Sequence, residues 1–149
     1  MSKAPTMPYA ATLHVRDACL CLHLQRAARA LARHFDEALR PAGLTNGQFS
    51  LLMALNRPQP PAIGAVAALL AMDRTTLTAA LKVLERRELI AIAPAPDDRR
   101  SRLLSLTAAG MAALARAMPI WTRTHAALEG KLEDVGPDAL RAALRMIAA

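Results

Sequence analysis

Apolar residues recur at helical intervals through the first quarter of the chain: Leu13, Cys21, Leu24, Ala28, Leu31, Phe35 and Leu39. Arg16, Arg26, Arg29, Arg33 and Asp36 take the other side. The spacing predicts one long helix over 11–39, ended by Pro41 and Gly43 and preceded by a frayed arm over 1–9. Thr45 with Gln48 three residues on reads as a capping box, opening a helix that carries Phe49, Leu52, Met53 and Leu55. Pro58, Pro60 and Pro61 stop it. A third helix is expected from about Ile63 to Leu70, and a fourth after the N-cap Asp73, with Leu77, Leu81 and Leu84 on one face.

The pattern then changes period. Leu89, Ile90, Ala91, Ile92 and Ala93 form a short strand-like run, and Leu103, Leu104, Ser105 and Leu106 form a second. Between them lies Pro94-Ala95-Pro96-Asp97-Asp98-Arg99-Arg100-Ser101-Arg102, so the segment predicts a β-hairpin with a long charged tip. Thr107 caps a fifth helix that Pro119 should kink. A sixth starts near Pro137, which suits a first helical position, and keeps Leu140, Leu144 and Ile147 on one side. The expected fold class is mainly α with a small β-hairpin wing. It is a winged helix-turn-helix over about 45–107, flanked by helices over about 11–40 and 108–149, in one domain of 1–149.

Composition narrows the partner. The formal charge is +7, from 19 Lys and Arg against 12 Asp and Glu, and most of the cations are arginine, which recognises phosphate and guanine with a planar fork. Hydrophobic residues make up 54% of the chain, which excludes disorder, and aromatics only 3%. The longest apolar run, over 62–72, is far short of the roughly 20 residues a bilayer span needs. Residues 1–9 hold prolines and no apolar segment, so no signal peptide is expected and the reading is cytoplasmic, with no membrane partner. Cys19 and Cys21 lie two apart, about 200° around a helix, a spacing that does not favour a mutual disulfide. They also lack the further ligands of a zinc site, so no metal and no cofactor are expected.

Helix, short turn, helix and hairpin in this order predict that the fourth helix enters the major groove of duplex DNA while the third braces it. Arg74, Thr75, Thr76, Thr78 and Lys82 would face outward, and Arg74 could grip a guanine bidentately. Arg99, Arg100 and Arg102 on the hairpin tip could reach a minor groove. Asp97 and Asp98 weaken pure charge attraction there, and make sense where one of them holds an arginine in a fixed pose. A charged tip taken alone is usually only a solvated loop, and leucines at this spacing would serve any small helical domain. The combination and order of the elements carry the reading.

Five segments carry a resemblance: Gly43-Leu44-Thr45-x-x-Gln48-Phe49-x-Leu51-Leu52; Met72-Asp73-Arg74-Thr75-Thr76-Leu77-Thr78; Leu84-Glu85-Arg86-Arg87-x-Leu89-Ile90; Asp98-Arg99-Arg100; and Leu104-x-Leu106-Thr107-x-x-Gly110. Together they resemble the multiple-antibiotic-resistance-regulator (MarR) family over about 11–149. The resemblance implies an obligate homodimer with interlocked first, fifth and sixth helices, reading a pseudo-palindromic operator, most commonly as a repressor. It also implies that Arg100 is the minor-groove arginine of the wing and Asp98 its orienting partner. Glu88 stands where the family usually carries glycine.

The resemblance further implies control by a small aromatic or amphipathic effector, with His14, Arg16, His23 and Trp121 as contacts by position; each also has an ordinary explanation, since a helix histidine is more often a surface or half-buried residue than a ligand contact and Trp121 would serve to anchor a dimer interface. Cys21 falls where the family's organic-hydroperoxide sensors carry a reactive cysteine, which offers a thiol-sensing alternative, with Cys19 beside it. The two tyrosines that poise that thiolate are matched by Phe35 and Asn46, and both cysteines also read as small packing residues. An enzyme is not expected: there is no Gly-rich phosphate loop, and His14, His23, His34 and His125 are scattered with no carboxylate at fixed spacing. A helical interaction protein that has abandoned DNA would be expected to lose Lys82, Arg99 and Arg100, which are present.

Overall fold

The computed structural model describes residues 3–149, so the expected arm falls partly outside the described residues; Lys3 to Pro8 have no regular structure. The chain divides into two compact units, Met1–His34 and Phe35–Ala149.

In the first unit the expected single helix is two, α1 (Tyr9–Ala18) and the start of α2 (Leu20–Leu39). No proline or glycine marks the break. Cys19 leaves the helix with φ −69° and ψ 108°, its N–H donates to the Val15 carbonyl at 2.9 Å, and the Leu22 N–H donates to its Sγ at 3.4 Å. The thiol therefore fills the N-cap role of a serine, answering one of the free N–H groups that open α2. This also removes the helical geometry that set Cys19 and Cys21 on opposite sides; both are free thiols. No residue of α1 is buried.

The second unit begins as α2 buries Phe35 and Leu39, then a 3-10 turn (Arg40–Ala42) ends at Gly43, whose φ of +73° favours glycine. Helix α3 (Asn46–Leu55) has its full capping box: Thr45 Oγ1 accepts from the Gln48 N–H at 3.2 Å and Gln48 Oε1 from the Thr45 N–H at 3.1 Å. Helices α4 (Ile63–Leu70) and α5 (Arg74–Arg86) flank a turn of three residues. Ala71 takes the left-handed conformation there, φ 52°. Strands β1 (Ile90–Pro94) and β2 (Arg102–Leu106) pair antiparallel from Ile90 with Leu106 to Pro94 with Arg102.

The proline segment before α4 joins this hairpin. Ala62 bridges to Leu103, and the Leu104 N–H donates to the Pro61 carbonyl at 2.9 Å. That pairing links residues some forty positions apart, and no local pattern announces it. Helices α6 (Ala108–Lys131) and α7 (Pro137–Ala148) complete the chain. Pro119, expected to kink its helix, lies inside α6 without ending it. Among the described residues no single helix is long and apolar enough to cross a membrane.

One core serves the second unit, with Leu39, Leu52, Val66, Leu77, Leu81, Leu84 and Leu104 fully buried. The expected face of α5 is therefore its inner face, each leucine contributing about 1.5–3 kcal/mol by burial. The junction behind α5 is tightly specified. Glu88 adopts φ 59°, the left-handed conformation that glycine takes most easily, at a backbone cost of about 1 kcal/mol. Thr107 Oγ1 donates to the Glu88 carbonyl at 2.6 Å and accepts from the Gly110 N–H at 3.0 Å, pinning the start of α6. At Gly110 a Cβ would run into the Leu89 carbonyl oxygen, which explains why glycine stands there.

Candidate nucleic-acid interface

Helix α5 presents its outer face because its inner face is occupied. Arg74, Thr75, Thr78 and Lys82 are exposed and, with Ala79, line one shallow concavity of about 420 Å³. Arg74 and Lys82 have no intramolecular partner among the described residues, so both cations are available to an anion. Thr76 is exposed as well, with polar groups engaged within the helix start. Its hydroxyl donates to Asp73 Oδ1 at 2.7 Å and its N–H to Asp73 Oδ2 at 2.9 Å, so it belongs to the helix cap. These hydrogen bonds from Thr76, the hydroxyl first, hold the Asp73 carboxyl below its ordinary pKa. Asp73 also takes one of the N–H donors that the helix start would otherwise offer a phosphate.

The wing is shaped by its own polar groups. Asp98 Oδ1 accepts from the Arg100 N–H at 2.9 Å, and the Ser101 N–H donates to the Asp98 carbonyl at 3.0 Å. Asp98 thus orients Arg100 through the main chain, as a side-chain-closed turn, and leaves the guanidinium unpaired. Arg102 is held differently: its Nη1 donates to the Arg99 carbonyl at 2.7 Å and staples the tip to the first residue of β2. No ion pair among the described residues engages Asp97, Arg99 or Arg100. Arg99 and Arg100 remain the free cations of the wing, and Arg102 supports them.

The residues expected to meet an effector are divided between the two units. In the first unit His14 is exposed, Arg16 forks onto Asp17 at 2.7 and 3.1 Å, and the His23 Nδ1 lies 2.7 Å from the Cys19 carbonyl oxygen. The bond to Asp17 raises the Arg16 pKa above its ordinary value. Cys21 is exposed and accepts a 3.3 Å contact from the Gln25 amide. Trp121 belongs to the second unit. It lines an apolar pocket of about 400 Å³ between α3, α4 and α6, with Phe49, Met53, Leu69 and Met118 among its neighbours and Ser50 as the polar member. The indole stacks on His125 at 4.5 Å and on Phe49 at 6.2 Å. His125 Nδ1 lies 3.6 Å from Glu129, which Arg141 also meets at 2.6 Å. Apart from Trp121 the pocket residues carry no sequence signal of a ligand site. Phe49 and Met53, or Met118 and Trp121, at helical spacing look the same as core residues. Among the described residues no group of His, Cys, Asp and Glu could hold a metal ion.

Known proteins share this arrangement. The MarR family profile matches residues 42–101. The crystal structure of the M. tuberculosis transcriptional regulator MosR in complex with DNA is similar at 35% sequence identity. The match covers 87% of this chain and 93% of that one, with a TM-score of 0.80. The transcriptional activatory protein BadR of Rhodopseudomonas palustris is 34% identical over 94 residues, 61% of this chain. The transcriptional repressor NicR of Pseudomonas putida is 33% identical over 100 residues, 65% of this chain. These matches span 54% of BadR and 62% of NicR, so the chain accounts for little more than half of either relative. With the wing, the capped helix α5 and the match to MosR over nearly its whole length, the chain belongs to the MarR family.

Proposed function

We propose that the chain is a transcriptional regulator that binds duplex DNA as a homodimer and represses by occupying a pseudo-palindromic operator. The observation that carries the reading is the two-sided character of α5. Leu77, Leu81 and Leu84 are buried while Arg74, Thr75, Thr78 and Lys82 line the exposed side without intramolecular partners for the cations. In this reading Arg74 reads base edges, the threonine hydroxyls and Lys82 meet phosphates, and Arg100 enters a minor groove. Dimerisation is supported by α7, which buries no residue although Leu144 and Ile147 share its apolar side. The regulator is relieved by a small aromatic or amphipathic effector, and the Trp121 pocket supports this because it is apolar, open and lined by aromatic rings.

Selection of bound fragments from genomic DNA tests the reading. Enriched sites should show inverted half-sites one helical turn apart, and affinity should fall steeply with salt as phosphate contacts release counterions. Absence of enrichment, or binding indifferent to salt, overturns it. The exposure of Cys21 favours a second reading, in which organic hydroperoxide releases the DNA through that thiol. In that case peroxide dissociates the native complex and spares the Cys21→Ser complex; equal dissociation removes the reading.

A further inference from the structure

The C-terminal end of α5 is held by a polar clasp separate from the DNA-facing side. Arg87, which caps that end, donates from Nη2 to the Gly43 carbonyl at 2.8 Å and from Nη1 to Gln48 Oε1 at 3.2 Å. The same Gln48 oxygen closes the α3 capping box on the Thr45 N–H, so one acceptor serves both the start of α3 and the end of α5. Asp36 on α2 accepts from the Asn46 N–H at 2.7 Å and secures the other side of this corner. The leucine interface of α5 fixes how closely the helix packs, but apolar contact has little directionality and permits small rotations. A guanidinium fork onto two oxygens is directional and resists them. Arg87 lies 13 residues beyond Arg74, about 20 Å along the axis, so a small tilt at the clasp displaces the base-reading end.

We propose that Arg87 is a positioning residue: it fixes the angle of α5 against the α2–α3 corner and so sets operator affinity and half-site spacing without touching DNA. The inference rests on the operator-binding reading. The test uses the full chain, its selected operator, and operators with the spacer lengthened or shortened by one base pair, titrated at several salt concentrations beside thermal melts. Arg87→Met should bind the native operator roughly tenfold more weakly, with the preference for native spacing largely lost and the salt dependence unchanged. Arg87→Lys, which keeps the charge without the fork, should fall between. Gln48→Glu, which keeps the capping box and gives Arg87 a charged acceptor, should keep or sharpen the spacing preference.

Native-like affinity and spacing preference in Arg87→Met overturn the inference. A salt slope reduced by about one with spacing preference intact also overturns it, because Arg87 would then be a phosphate contact. If Arg87→Met lowers only the melting temperature while its folded fraction binds as the native chain does, the clasp is merely structural and the inference fails. Should Arg87→Met not fold, a spacing preference in Arg87→Lys equal to the native one overturns it. If the native chain itself enriches no DNA, the regulator reading fails and this inference goes with it.

Discussion

The winged segment and the helices α1 and α7 are all rich in leucine and alanine, yet only the first satisfies itself. Around the wing, α5 buries three leucines, β2 buries Leu104, and the helix starts at Thr45, Asp73 and Thr107 all carry side-chain caps. Helices α1 and α7 bury nothing: Met146 is 80% and Ile147 58% exposed, and neither helix has a side-chain cap at its start. The contrast separates two uses of an amphipathic helix. One meets its apolar partner within the chain; the other presents a face whose partner, in the reading proposed above, is a second copy.

Substitutions can break that contrast from either side. Gly110→Ala should have the largest effect, because the added methyl meets the Leu89 main chain and cannot rotate away. A loss of about 2–4 kcal/mol in urea unfolding is expected, and a wild-type midpoint would show that the junction yields. Leu144→Asp combined with Ile147→Asp should act on the other region alone. Sedimentation should show a monomer with the winged unit still folded, and a retained dimer would place the interface elsewhere.

Arg100→Ala should weaken operator binding by about tenfold to a hundredfold, corresponding to 1–3 kcal/mol, without changing mass or melting temperature. Fluorescence anisotropy measures it directly. Glu88→Gly should move the other way, stabilising the winged unit by about 0.5–1 kcal/mol through relief of its left-handed backbone, as read from unfolding midpoints.

The smallest expected effect concerns acid. Asp73 is held below its ordinary pKa by Thr76, so its stabilisation is complete above the unfolded carboxylate range and is lost as pH falls through the lower folded value. The melting temperature of the native chain should therefore drop more steeply in acid than that of Asp73→Asn, which keeps a capping oxygen without a titrating proton. Asp138, held low by Arg141, titrates in both proteins and cancels from the difference. Parallel acid profiles would show that the cap does not respond to protonation.

Local chemistry was the legible part. The capping box at Thr45 and Gln48, the Asp73 cap, the strand period and Pro137 at a helix start all stand where the residues indicated. The break at Cys19 was not legible, because helix-forming residues continue on both sides and a thiol is not a usual cap. On the candidate interface, exposure of Arg74, Thr75, Thr78 and Lys82 followed from the leucine spacing, whereas Thr76 turning into its own cap did not. On the wing, charge alone could not say that Asp98 would grip the Arg100 main chain or that Arg102 would close the tip.

By itself the sequence determined the helix starts, the two strand segments, the buried stripe of α5 and an arginine-bearing tip, all set by neighbours within about four residues. Tertiary structure alone decided the rest. It seated the Arg87 fork on partners 39 and 44 residues away, paired Ala62 with Leu103, and gathered Phe49, Leu69 and Trp121 around one pocket. Such contacts depend on where the packed core holds whole elements, and no periodicity along the chain encodes that distance or direction.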